Sequence, residues 1–247
     1  MSVLSERGPI LPSAATITAV ATVLALAIGG GVASFAGVLL FRVVSGPLGI
    51  VGTDISAVAN IGVQLGFAAV AAGYLLAVDE RSRYLRFSWP TAEGVAWIIA
   101  LPLLSAVLSI GLSTLFSALG MAVPSHSGLG TAGILIERPA LWAVAIPALY
   151  LFAAPVEELL YRGIVQGRLR PYLETSGVVL VSGVAFALMH SLTYLFSSGP
   201  IAYTVVSTGL FGLVWALVYE RTENLVVTAV NHAMFWTVPF SLFLPSV

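Results

Sequence analysis

The sequence predicts an all-α fold, a polytopic bundle of transmembrane helices with about seven spans and eight as the alternative. Three observations lead there. Of the 247 residues, 59% are hydrophobic and 9% charged, and the mean hydropathy is +1.02, whereas a soluble domain carries about 25% charged residues. The apolar residues fall into runs long enough to cross about 30 Å of hydrocarbon, which takes roughly 20 residues at 1.5 Å each. All ten basic residues are arginines, and seven of them gather on one of the two sides that these runs define.

The first run, 14–44, follows a weakly basic segment and is far too long for the core of a signal peptide, so it reads as a permanent span. Its triplet Gly29-Gly30-Gly31 is a weak point at which the helix could bend or split into a re-entrant pair. The second run, 55–78, comes after the turn-like SGPLGIVGTD, and the third, 92–119, after the polar DERSRYLRFSWPTAE. The fourth, 139–167, carries the densest ionisable cluster of any run. The runs 177–196 and 200–219 are parted by SSGP, and 224–244 is the last. We divide the chain into N-terminal helices (1–138) and a catalytic membrane core (139–247), together one integral membrane domain.

With seven spans and a cytoplasmic N-terminus, Arg7, Arg81, Arg83, Arg86, Arg168, Arg170 and Arg221 face the cytoplasm. Only Arg42 and Arg138 face outward, as the positive-inside rule expects, and Arg162 alone lies within a span. The expectation is therefore an integral protein of the cell membrane, N-terminus inside. A net charge of −1 and the lack of a Gly-rich phosphate loop exclude a nucleic-acid partner, and the lack of cysteine excludes disulfides and thiolate chemistry. The lipid bilayer and a membrane-associated protein or peptide are the expected partners. Asp54, Glu137 and His126 fall in expected outer loops, where they are simply solvated. Trp89, Trp97 and Trp142 fit interfacial anchoring, and Trp215 and Trp236 read as packing residues.

The stretch PVEELLYRG (155–163) places Glu157, Glu158 and Arg162 in a run that is otherwise apolar. Glu158 and Arg162 are four residues apart and share a helix face, while Glu157 points about 100° away. Ionisable groups at this depth are costly and face partners inside the bundle. A Glu–Arg pair that merely locks two helices is the plain alternative. Two further spans change the balance, because His190 and His232 lie within them. Counting at 1.5 Å per residue from the cytoplasmic end of each helix puts Glu157, His190 and His232 at depths of about 15–20 Å. Two histidines and a glutamate suffice for a catalytic zinc with one position left for water, so Glu157, His190 and His232 are candidate metal ligands. A metal-free glutamate that activates water directly stays equally open. Gly163, Gly167, Ser182 and Gly183 are small enough to let helices approach here, and Pro155 could open its helix to water. A proton relay through Glu157, Glu158 and His190, as in a transporter, is a weaker reading, since no internal repeat is visible.

These residues resemble the motifs of the CAAX-protease and bacteriocin-processing (Abi) family of intramembrane proteases. Glu157-Glu158-Leu-Leu-Tyr-Arg162 is similar to its E-E-x-x-x-R motif and Phe186-Ala-Leu-Met-His190 to its F-x-x-x-H motif, and ERTENLVVTAVNHA (220–233) resembles its third conserved region. The resemblance covers roughly residues 140–236. It implies an intramembrane endopeptidase in which Glu157 activates water, His190 and His232 complete the site, Glu158 and Arg162 hold the helices in register or orient substrate, and Phe186 packs beneath. It implies cleavage near a prenylated C-terminus, peptide processing, or a role in immunity, and it leaves the metal open. The chain departs from the family at Trp236, where an Asn or Asp is expected to stabilise the oxyanion, a task worth about 3–4 kcal/mol. Asn231 is the candidate substitute, or else an interhelical hydrogen-bonding residue. The departure favours a second reading, a catalytically silent protein of the same fold that serves immunity or scaffolding.

Overall fold

The computed structural model describes residues 13–45, 47, 53–123, 139–194 and 200–237, and these are helical with no strand among them. Seven helices follow one another: α1 (Ala14–Ser45), α2 (Thr53–Ala77), α3 (Ala92–Ala118), α4 (142–169), α5 (Thr175–Tyr194), α6 (Ile201–Thr222) and α7 (Leu225–Thr237). Each falls on one of the seven apolar runs. α1, α3 and α6 are long and apolar enough to cross a bilayer outright, and the described parts of α2, α5 and α7 are shorter apolar helices. The fold is an all-α membrane bundle, and its burial pattern follows membrane logic. Leu151, Val43 and Leu76 are more than 70% exposed on the outside, while Arg162, Glu158 and Gln166 are fully buried inside.

α1 passes through its glycine triplet as one unbroken helix, so the bend or split expected there does not occur. Packing accounts for this. α1 lies along α2 with the backbones nearly touching: a Cβ on Gly62 would stand 2.6 Å from the Gly37 carbonyl oxygen. Ser34 adds a hydrogen bond from its hydroxyl to the Val63 carbonyl (3.0 Å). Asp54 belongs to the first turn of α2 rather than to a loop. His126 and Glu137 lie outside the described residues.

At one end of the bundle, three connections interlock. Thr91 caps α3 by accepting from the Gly94 amide (3.2 Å). α6 ends at Glu223 in the left-handed conformation (φ 47°), and α7 starts two residues later. Asn224 binds that turn to the α2–α3 connection, accepting from the Ser88 amide and donating to the Ser88 carbonyl (2.9 Å). The pair Arg86–Glu223 and the bond from Arg170 to Glu220 (3.0 Å) complete the lock.

Candidate active site

α4 positions the acidic pair, and its backbone is irregular on both sides of it. The α-helical segment Ala154–Glu158 sits between π-helical turns at Leu149–Ala153 and Leu159–Gln166. Pro155 has no amide to donate to the preceding turn, so the regular ladder cannot run through it. π turns widen a helix, turn its side chains and recur at functional sites. Here they place Glu157 and Glu158 on different neighbours.

Glu158 is fully buried and accepts on both oxygens. Arg162 Nε donates to Oε2 (3.1 Å) and the His232 ring meets Oε1 through Nδ1 (2.9 Å). The Arg162 guanidinium also donates to Ser182 Oγ on α5 (3.3 Å) and lies over the Phe186 ring, 5.0 Å from its centroid. One carboxylate thereby ties α4 to α7, and its arginine ties α4 to α5. The expected i,i+4 pair forms, and it does more than lock two helices.

Glu157 is 2% exposed and looks the other way. Its Oε2 accepts from Gln64 Nε2 of α2 (3.2 Å), and its Oε1 is 3.5 Å from His190 Nε2. His190 Nδ1 faces the Phe186 carbonyl (2.9 Å), which can only accept, so this nitrogen carries the proton. The same reasoning gives His232 a proton on Nδ1, against the Glu158 carboxylate. Each imidazole is thus oriented through Nδ1, and its Nε2 is the working atom.

The two histidines open into one cavity of about 120 Å³. Phe186, Phe211, Trp215, Phe235 and Trp236 wall it, with Thr208 at the side. His232 lies between two indoles, its ring centroid 4.4 Å from that of Trp215 and 4.2 Å from that of Trp236. Both tryptophans therefore form the cavity, a role beyond the packing expected of them. Asn231 turns away from it. Its Nδ2 donates to the carbonyls of Trp97 (3.0 Å) and Ile98 (3.4 Å) on α3, which is the interhelical role and not that of an oxyanion donor.

Two imidazole Nε2 atoms beside a buried carboxylate are the donor chemistry of zinc. Even so, among the described residues no three His, Asp or Glu side chains are drawn together as ligands of one ion. Glu157 stands by His190, and Glu158 by His232. The chemistry below is accordingly derived from the side chains alone.

Residues 139–238 match the family described as type II CAAX prenyl endopeptidase, Rce1-like. The matched stretch carries all five of the residues just placed at the acidic pair and its two histidines. This domain belongs to the CAAX-protease family. That makes it a peptidase domain of an integral membrane protein, from a family whose substrates are membrane-associated proteins. No curated protein and no solved structure gives a significant match to the chain. The family match spans α4–α7, and α1–α3 lie outside it. Yet α2 supplies Gln64 to the site. Sequence reasoning missed this residue because one amide in an apolar helix carries no motif; its buried polar character was the only signal.

Proposed function

We propose that this CAAX-protease-family protein is an intramembrane endopeptidase with Glu157 as general base, acting on a membrane-associated protein or peptide at a site open to the cytoplasmic half of the bilayer. The observation that carries the reading is the Glu157 carboxylate. It is buried, has one oxygen held by Gln64, and turns the other toward His190 Nε2 beside the aromatic cavity. Oε1 accepts a proton from water, and the resulting hydroxide adds to the scissile carbonyl carbon. The protonated Glu157 then returns that proton to the amide nitrogen as the C–N bond breaks, releasing an amine and a carboxylate. His190 stands beside the base, with its Nε2 3.5 Å from Oε1. His232 is held through Nδ1 against Glu158 and lies between two indoles, and its ring lines the cavity in which the substrate carbonyl would sit. Glu158 and Arg162 are positioning residues. A prenylated C-terminus is the substrate that the family suggests, and zinc held by Glu157, His190 and His232 would be the cofactor of an alternative route, one that needs these three side chains to close on a single ion.

The test is cleavage of prenylated and unprenylated membrane-anchored peptides in liposomes. Glu157→Gln should lose about 10²–10⁴-fold of the rate with an unchanged melting temperature. Zinc measured by mass spectrometry should fall in both His190→Ala and His232→Ala if the metal proposal holds. One observation favours the second reading, a silent scaffold or immunity protein: the Trp236 ring lies against His232, where the family places a polar donor. A folded wild type that cuts none of the peptides decides for it.

A further inference from the structure

Among the described residues, four buried side-chain atoms around the acidic pair have no hydrogen-bond partner: Gln64 Oε1, Glu157 Oε1, Tyr161 Oη and Arg162 Nη2. Arg162 is otherwise committed to Glu158 and Ser182. The other three belong to one neighbourhood. Gln64 is bonded to Glu157, Tyr161 is the next turn of α4, and its hydroxyl lies within electrostatic reach of the Glu157 carboxylate. The Gln64 amide orientation is fixed by chemistry, since a carboxylate only accepts and the NH₂ must face it, so Oε1 is the atom left over. The Tyr161 ring is fixed by two edge-to-face contacts, with Phe67 of α2 at 6.4 Å and Phe186 of α5 at 5.0 Å. Phenylalanine would pack there equally well, so a fully buried hydroxyl needs a reason of its own.

The three atoms are complementary to a single water. Two are acceptors and one is a hydroxyl, whereas a water offers two donors and two lone pairs, and buried waters typically make about three hydrogen bonds. We infer that Gln64 and Tyr161 are positioning residues that hold the attacking water on Glu157 Oε1, an inference that rests on the hydrolytic reading of the site. The water donates one O–H to Glu157, which removes that proton, and the other to Gln64 Oε1. The Tyr161 hydroxyl donates to one lone pair and leaves the second for the scissile carbonyl carbon. α2, outside the family match, is then part of the catalytic machinery.

The experiment compares wild type, Tyr161→Phe, Gln64→Leu and the double variant in the liposome cleavage assay. Each single variant should lose about tenfold in kcat, as for one hydrogen bond made to the reacting group, with KM unchanged and Tyr161→Phe keeping the wild-type melting temperature. The double variant should lose little more than the worse single one, because both residues hold one water. A wild-type kcat in Tyr161→Phe overturns the inference, as do losses that appear in KM or follow the melting temperature. A high-resolution map of wild type and Tyr161→Phe in nanodiscs separates this from the functional reading. If the wild type cuts nothing, that reading falls, and the map alone decides the site. Water density bonded to the three atoms, lost in Tyr161→Phe, upholds it, and no such density in the wild type overturns it.

Discussion

Glu158 shows how much one side chain can settle in a low-dielectric interior. It accepts from Arg162 of its own helix and from His232 of α7, and Arg162 in turn reaches Ser182 of α5. A single buried charge there would be far too costly to keep, but the pair is hydrogen-bonded on both sides, with Ser182 taking a further guanidinium donor. Breaking such a pair from one side leaves the other charge uncompensated, which costs about 3–5 kcal/mol. Arg162→Leu should therefore destabilise the folded protein by that amount, read as a lower midpoint in thermal or denaturant unfolding. Glu158→Gln leaves the buried Arg162 guanidinium uncompensated and turns an NH₂ toward one of two donors, so it should lower the midpoint as well. Equal midpoints for Arg162→Leu and wild type would mean that the pair does not hold the bundle together.

At the scale of the helices, close approach is what lets α4 present its charges inward. Gly163 lies on the π-helical turn against the Tyr84 carbonyl of the α2–α3 connection, where a Cβ would stand 2.6 Å from that oxygen. The obstacle is backbone and cannot swing aside. Gly163→Ala should lower stability by about 1–3 kcal/mol, the usual cost of overpacking, and slow cleavage by displacing α4; a melting temperature at the wild-type value would count against this. The sequence made this glycine legible as a small residue near the acidic pair, and it made all seven helices legible, because apolar runs near the thickness of a bilayer have few other interpretations. It also aligned Glu157, His190 and His232 in depth. Lateral pairing was out of its reach. That Glu157 meets His190 while Glu158 meets His232 depends on two π turns around Pro155, and no periodicity announces these. For Asn231, adjacency in sequence to His232 suggested a shared site, whereas 100° of helix rotation sends it to α3.

Across the whole molecule, the arginine distribution is the argument for an orientation, and the structure adds a spatial argument to the count. Arg83 donates to the Gly167 carbonyl at the end of α4 (3.1 Å), Arg86 pairs with Glu223, and Arg170 pairs with Glu220 and Glu223. The α2–α3, α4–α5 and α6–α7 connections are thereby in contact with one another and must share one side of the bilayer. Among them they hold six of the ten arginines, Arg81, Arg83, Arg86, Arg168, Arg170 and Arg221, counting those at the helix ends. The α1–α2 connection is at the opposite end of the α2 helix. If the arginine-rich side is cytoplasmic, the N-terminus is cytoplasmic as well. The chain has no cysteine, so single cysteines report cleanly. Trp89 is 94% exposed in the α2–α3 connection, and Pro47 is exposed in the α1–α2 connection. In intact cells, a membrane-impermeant maleimide should label Pro47→Cys and spare Trp89→Cys, with the pattern reversed in inside-out vesicles. The opposite pattern would invert the protein and put the catalytic face outside. Labelling of both from one side would remove α2 as a span, and with it the placement of Gln64 at the depth of Glu157.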